Sequence, residues 1–127
     1  MKDSKDNIIV HKSLTFAIRC VKLYKYLCEQ HEYVMSKQLL RSGTSIGANV
    51  REASLGYTKA DFAHKMSIAY KEAGETRYWF ELLNATDYIS DNQAQSLISD
   101  CDELLKILSQ IIISSKSNMG SEPPVDP

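Results

Sequence analysis

The residues best equipped for chemistry lie in the middle of this 127-residue chain. Asp61 and His64 stand one helical turn apart, and Glu72 and Glu75 follow with the same spacing. A carboxylate and an imidazole at that interval make half of a metal site. A di-iron bundle needs two Glu-x-x-His motifs and two further glutamates, and the chain contains no Glu-x-x-His. No histidine shares the register of Glu72 and Glu75, and His11 and His31 fall near the ends of the first helical segment, where solvated or capping roles are ordinary. Serines and cysteines are plentiful, yet spacing places no base to activate one. The reading therefore assigns no catalytic residue, no metal ligand and no cofactor, and expects a non-enzymatic protein.

The other notable run is RSGTSIGANVREA, residues 41–53. It has neither GxxxxGK[ST] nor GxGxxG and follows no strand, so it is not a phosphate cradle. It reads as helix, with Gly43 and Gly47 four residues apart on the face that carries Leu39, Ile46 and Val50. Each glycine costs a helix roughly 1 kcal/mol against alanine. Close packing against another helix, with Trp79 or Phe80 as the expected neighbour, offsets that cost. A second stripe is polar: Ser42, Ser45, Asn49 and Glu52, flanked by Arg41. Serine and asparagine inside a helix need partners, and Glu72 and Glu75 are suited to Arg41 or Arg51. We expect an interhelical polar network of Arg41, Ser45, Asn49, Glu52, Glu72 and Glu75 that fixes register; a ligand-binding patch is the weaker alternative.

The elements that must position these residues are all helical. Gly120, Pro123, Pro124 and Pro127 fall in the last eight residues, and no proline interrupts the chain before them. Four segments separate at about 11–30, 37–55, 59–89 and 91–114. Ser36 is placed to cap the second and Gly56 to end it; Thr58 to Asp61 and Ser90 to Gln93 read as capping boxes. Short connections favour an all-α, up-down-up-down antiparallel four-helix bundle over residues 11–115. Residues 1–10 are expected to form a flexible arm and 116–127 a disordered tail. No run approaches ~18 apolar residues, and the polar opening MKDSKDN holds no signal-peptide core, so a cytoplasmic protein with no membrane contact is expected. Cys20, Cys28 and Cys101 are odd in number and show no zinc spacing, as expected of buried thiols in a reducing compartment.

Two helices carry more apolar surface than one core needs. The first has a Leu14/Ala17/Val21/Tyr24/Cys28 stripe, assigned to the core, and a second of Phe16, Cys20, Leu23 and Leu27. The third sets Ile68, Trp79 and Leu82 beside its main stripe. A second stripe reads as a partner surface, so Phe16, Cys20, Leu23, Leu27, Ile68, Trp79 and Leu82 are the expected homo-oligomer interface; the alternative is a wide core.

Charge divides the chain. Residues 1–60 hold ten Lys/Arg against five Asp/Glu, and residues 61–127 hold five against eleven, giving +5 and −6. Such asymmetry marks either a basic surface for an anionic partner or two hairpins that attract each other. The candidate RNA contacts are Lys12, Arg19, Lys22, Tyr26 and Lys37, four of them between the two stripes of the first helix. A protein-interaction scaffold and a metal- or small-molecule-binding bundle are the competing classes.

Arg41-Ser-x-x-Ser-Ile-x-x-Asn-Val50, then DFAHKMSIAYKEAGETRYWFELL (61–83), resembles the bacterial four-helix-bundle family of proteins encoded in ribosomal RNA intervening sequences. KSLTFAIRCVKLYKYL (12–27) extends the resemblance into the first helix. It implies a cytoplasmic homopentamer, like the related accessory variability determinant of diversity-generating retroelements, which has a basic surface and associates with nucleic acid. It brings no catalytic residues. Carried over by position, Arg41, Ser45, Asn49 and Glu52 match the family's polar positions, and Glu72, Glu75 and Trp79 its second block. Many members continue the asparagine as Asn-Ile-Ala-Glu-Gly; here Glu52 keeps its place, while Arg51 and Ala53 depart.

Overall fold

The computed structural model describes residues 4–120 as four helices: α1 (Ser4–Glu29), α2 (Met35–Ser54), α3 (Lys59–Ala85) and α4 (Asp91–Gly120). Each packs on its chain neighbour, and α4 closes the bundle against α1 through the loosest of the four contacts. The all-α, four-helix architecture agrees with the sequence pattern, but several ends differ. Residues 4–10 belong to α1 rather than to an arm, because Ile9 is fully buried and extends the inner stripe by two turns. Residues 116–120 continue α4, and the rest of the expected tail lies outside the described residues. The third helix stops at Ala85, short of Ile89.

The helix ends have identifiable causes. Thr58 Oγ1 accepts from the Asp61 amide at 3.0 Å. At the start of α4 the box is reciprocal: Ser90 N donates to Gln93 Oε1 at 2.8 Å, and Gln93 N to Ser90 Oγ at 3.1 Å. Ser36 does not cap α2. Its hydroxyl is buried without a hydrogen-bond partner, and the cap is the buried carboxylate of Glu32, which accepts from the amides of Val34, Met35 and Ser36 at 3.2, 3.0 and 2.6 Å. A carboxylate at that position meets both the orphan donors and the positive end of the helix dipole. Two helices end in left-handed residues that are not glycine, His31 (φ 64°) and Asp87 (φ 70°). The amides three residues past each helix's last residue, those of Glu32 and Tyr88, return to Leu27 O and Leu83 O at 2.9 Å. Gly56 has no left-handed backbone, so its role as a stop is not conformational.

The inward face of α1 corrects the stripe assignment. Phe16, Cys20, Leu23 and Leu27 are core residues, each no more than 9% exposed, and so cannot form the partner surface expected of them. Leu14 instead points outward, about half exposed, as does Ile18, while Val21, Tyr24 and Cys28 are only half-buried. Both stripes are apolar, and the difference is set by α2. Ser13 and Cys20 turn toward it, and Phe16 meets Phe80 of α3 edge-to-face with centroids 6.0 Å apart.

Gly43 is the reason α1 and α2 approach so closely. A Cβ at this position would lie 2.5 Å from Cys20 Sγ and 2.9 Å from Cys20 Cβ. At Gly47 it would meet Ser13 Oγ and O at 3.4 Å, ordinary contact. Both glycines therefore face α1, not Trp79 or Phe80. Beside them, Ser42 and Thr76 bring their hydroxyl oxygens to 2.8 Å in the core, and Thr76 donates to Glu72 O at 2.8 Å. This bond satisfies two polar groups that would otherwise each cost ~1–3 kcal/mol buried.

Three glycine variants separate packing from propensity. Gly43→Ala is expected to lower unfolding free energy by about 1–3 kcal/mol, as overpacking does. Gly47→Ala should fall within roughly 1 kcal/mol of the parent, the clash being absent and the propensity gain available. Gly74, exposed in mid-α3 with nothing within 4 Å of its absent Cβ, should gain about 0.5–1 kcal/mol as alanine. Urea titration reads all three.

Candidate functional site

Two constellations bring charged side chains from different helices together. The first bridges α2 and α3. Arg41 Nη1 donates to Glu72 Oε1 at 3.1 Å, and Nη2 bonds Glu75 Oε2. Trp79 Nε1 donates to the same Glu75 oxygen at 3.0 Å. These bonds, Arg41 first and the indole second, hold the Glu75 carboxyl below the usual carboxylate range and raise Arg41. The remaining members of the expected network do not join. Asn49 Nδ2 bonds Ser45 O and Oγ within α2, at 2.9 and 3.1 Å, and Glu52 pairs with Lys65 at 2.7 Å. The expected network is thus three separate contacts, of which Arg41–Glu72/Glu75 and Glu52–Lys65 cross to α3.

The second constellation is the seam between α1 and α4. Lys12 Nζ lies 3.2 Å from Glu103, and Arg19 Nη1 donates to Asp100 Oδ2 at 2.7 Å and to Ser96 O at 3.4 Å. Lys22 and Tyr26 continue the same edge of α1, with Tyr26 39% exposed. Lys37 is exposed on the first turn of α2, away from this edge. Two clefts open along the seam. One, of about 230 Å³, lies between His11, Lys12, Thr15 and Phe16 and the acidic pair Asp100 and Glu103. The other, of about 390 Å³, lies between Arg19, Lys22 and Tyr26 on one wall and Gln93 and Leu97 on the other.

Among the described residues, four ion pairs join three cations of the basic half to carboxylates of the acidic half: Lys12–Glu103, Arg19–Asp100, Arg41–Glu72 and Arg41–Glu75. Part of the charge asymmetry is thus used inside the bundle. Of the expected interface residues on α3, Ile68, Trp79 and Leu82 are half-buried. Among the described residues no group of three or more His, Cys, Asp or Glu side chains could hold a metal ion. Burial pushes the Cys20 and Cys101 thiols up to about 12, so neither is a ready nucleophile.

A family model described as 23S rRNA-intervening sequence protein matches residues 5–110. The chain belongs to this family. A crystal structure of a protein of unknown function from the S23 ribosomal protein family of Bacteroides thetaiotaomicron is 57% identical to this intervening-sequence protein. It superposes with a TM-score of 0.84 over 85% of this chain and 97% of that one. No curated protein matches.

The two positions at which the sequence departs from the expected family pattern, Arg51 and Ala53, have distinct surroundings. Ala53 is buried, so its methyl fills core space. Arg51 is exposed beside Val10, Leu14 and Ala17, where it borders a shallow hollow between α1 and α2. Sequence reasoning missed the Ser42–Thr76 bond and the Arg77 link to Asp102, 2.7 Å between α3 and α4. The signal for the latter was a cation and a carboxylate on facing helices, legible only once the helices are in register.

Glu75 gives a pH test. Its folded pKa is depressed, so its contribution is present above the unfolded carboxylate pKa and is lost as pH falls through the folded value. Glu75 is about a third exposed, which limits each pair to roughly 1 kcal/mol or less. Glu75→Gln should therefore be less stable than the parent at pH 7 and indistinguishable from it at the acid end. The emission of Trp79, the chain's one tryptophan, should titrate below the usual carboxylate range in the parent and not in the variant.

Proposed function

We propose that this intervening-sequence protein is a non-enzymatic, cytoplasmic, self-associating bundle that binds RNA or a ribonucleoprotein. The observation that carries the assembly is the outward apolar stripe of α1. Leu14 and Ile18, each 49% exposed, run one turn apart with Val10 and Val21 on the same face. Small α2 residues, Thr44, Gly47 and Ala48, lie alongside. A ridge of branched side chains beside a strip of small ones is a surface another helix can dock into. A second outward apolar feature is on a different face: Tyr70 and Tyr78 flank exposed Gly74 on α3. Contact between unlike faces is heterologous and closes into a ring when the rotation permits, which fits the pentamer that the family resemblance implies.

Nucleic-acid binding is supported by the cations of α1 and α2 that the intramolecular ion pairs leave over. Lys22 and Lys37 are exposed and take no part in those described. Lys12 and Arg19 are paired, which favours the second reading, a protein-interaction scaffold without nucleic acid, to the extent that their charge is already neutralised.

Sedimentation at micromolar concentration should give an oligomer, and Leu14→Glu/Ile18→Glu should give a folded monomer with unchanged helical circular dichroism. A monomeric parent would contradict the assembly. Titration with structured and single-stranded RNA at two ionic strengths should show binding that weakens as salt rises; no binding at low salt leaves the scaffold reading.

A further inference from the structure

We propose that the larger of the two seam clefts, at the Tyr26 end, binds a single nucleotide unit with its base unpaired. The inference rests on the nucleic-acid reading above and deepens it to a site and a ligand class. The two clefts lie on the same seam and differ in what they can hold. The Lys12 cleft is about 230 Å³ and is lined by Asp100 and Glu103, which oppose a phosphate. The Tyr26 cleft is about 390 Å³ and no acidic side chain lines it. Small-molecule sites run from roughly 300 to 1,000 Å³, so only the second has the room.

Its chemistry is that of a flat, anionic, partly apolar ligand. The floor is aliphatic: Leu23, Ile89 and Leu97 are 9%, 3% and 5% exposed. Tyr26 lines it and is 39% exposed, offering an aromatic face on which any base can stack. Lys22 and Arg19 supply positive charge one and two turns along the same edge of α1. Both described bonds of Arg19, to Asp100 and Ser96, use Nη1. The guanidinium is therefore pinned while Nη2 keeps its donors for a phosphate oxygen. Across the cleft, Gln93 commits Oε1 to the Ser90 amide at 2.8 Å. That capping bond fixes the side chain and leaves its NH₂ as a donor to a base carbonyl or ring nitrogen. The cations, the stacking ring and the amide donor thus surround an apolar floor, matching phosphate, base face and base edge. A base in a duplex presents neither face, so the site selects an unpaired one.

Full-length protein is titrated with a single-stranded ten-residue oligouridylate, a ten-residue oligoadenylate, an RNA duplex, and free uridine and adenosine 5′-monophosphates, with NMR of the Tyr26 and Leu97 signals in parallel. Tyr26→Ala should weaken single-strand binding about tenfold or more, as loss of one base stack does. Tyr26→Phe should bind as the parent does. Lys22→Gln should weaken binding and lower the salt slope by about one. Tyr57→Ala, at the far end of the bundle and 98% exposed, serves as the control and should change nothing. Circular dichroism and thermal unfolding establish that each variant folds. Single-strand binding that Tyr26→Ala and Lys22→Gln leave unchanged overturns the cleft and leaves the RNA reading standing. Duplex RNA bound as tightly as single strands also overturns it. If no RNA binds, the RNA reading fails by itself, and the monophosphates decide the cleft: shifts at Tyr26 and Leu97 assign it to a free nucleotide, and their absence overturns it.

Discussion

The bundle depends on the approach of α1 to α2 at Gly43. Cys20 occupies the volume in which a β-carbon at residue 43 would sit, so the two backbones can lie closer than side chains ordinarily allow. That approach fixes the rotation of α1 about its axis. With Cys20 turned to Gly43 and Ser13 to Gly47, the residues at helical spacing from them, Ile9, Phe16, Leu23 and Leu27, also face inward. Leu14 and Ile18 are carried outside as a geometric consequence. The surface available for assembly is therefore set by a packing constraint in the core.

The same rotation determines the electrostatics. It brings Lys12 and Arg19 to the α4 edge, where Glu103 and Asp100 meet them. On the other side, Arg41 reaches Glu72 and Glu75. The opposite charges of the two halves hold together helices of one chain first and act on a partner only with what is left. Because these pairs are exposed, each adds little stability; they choose register and neighbours rather than supply the folding energy. The α1–α4 seam, with the loosest packing in the bundle and ion pairs instead of a dense apolar contact, is consequently where clefts remain.

Fold class, the number of helices and the three short connections between them were legible in the sequence because periodicity, capping boxes and the absence of interior proline all agree. The Arg41–Glu72/Glu75 contact was legible in part: Glu72 and Glu75 were suited to Arg41 or Arg51, and only the register of the helices selects Arg41. The choice between the two apolar stripes of α1 was not. Phe16/Cys20/Leu23/Leu27 and Leu14/Ala17/Val21 are both apolar and periodic, and only the position of Gly43 against Cys20 distinguishes them. Glycine at residue 43 announced a close contact without naming which helix makes it. Glu32 was missed as a cap because Ser36, a better N-cap by propensity, stands four residues later; burial of the carboxylate among three amides outweighs propensity. The extension of α1 to Ser4 was hidden by a polar opening whose apolar residues begin only at Ile8.

The orientation of α1 determines both the core and the outward stripe, and thiol labelling under native conditions reads that orientation. Cys20 and Cys101 are fully buried, while Cys28 is half-buried. An excess of a neutral disulfide reagent should label Cys28 quickly, and Cys20 and Cys101 only at the rate of global unfolding, read by mass spectrometry of the digested chain. Labelling of Cys20 as fast as Cys28 would contradict it, because the Gly43 contact and the outward stripe of Leu14 and Ile18 could not then both exist.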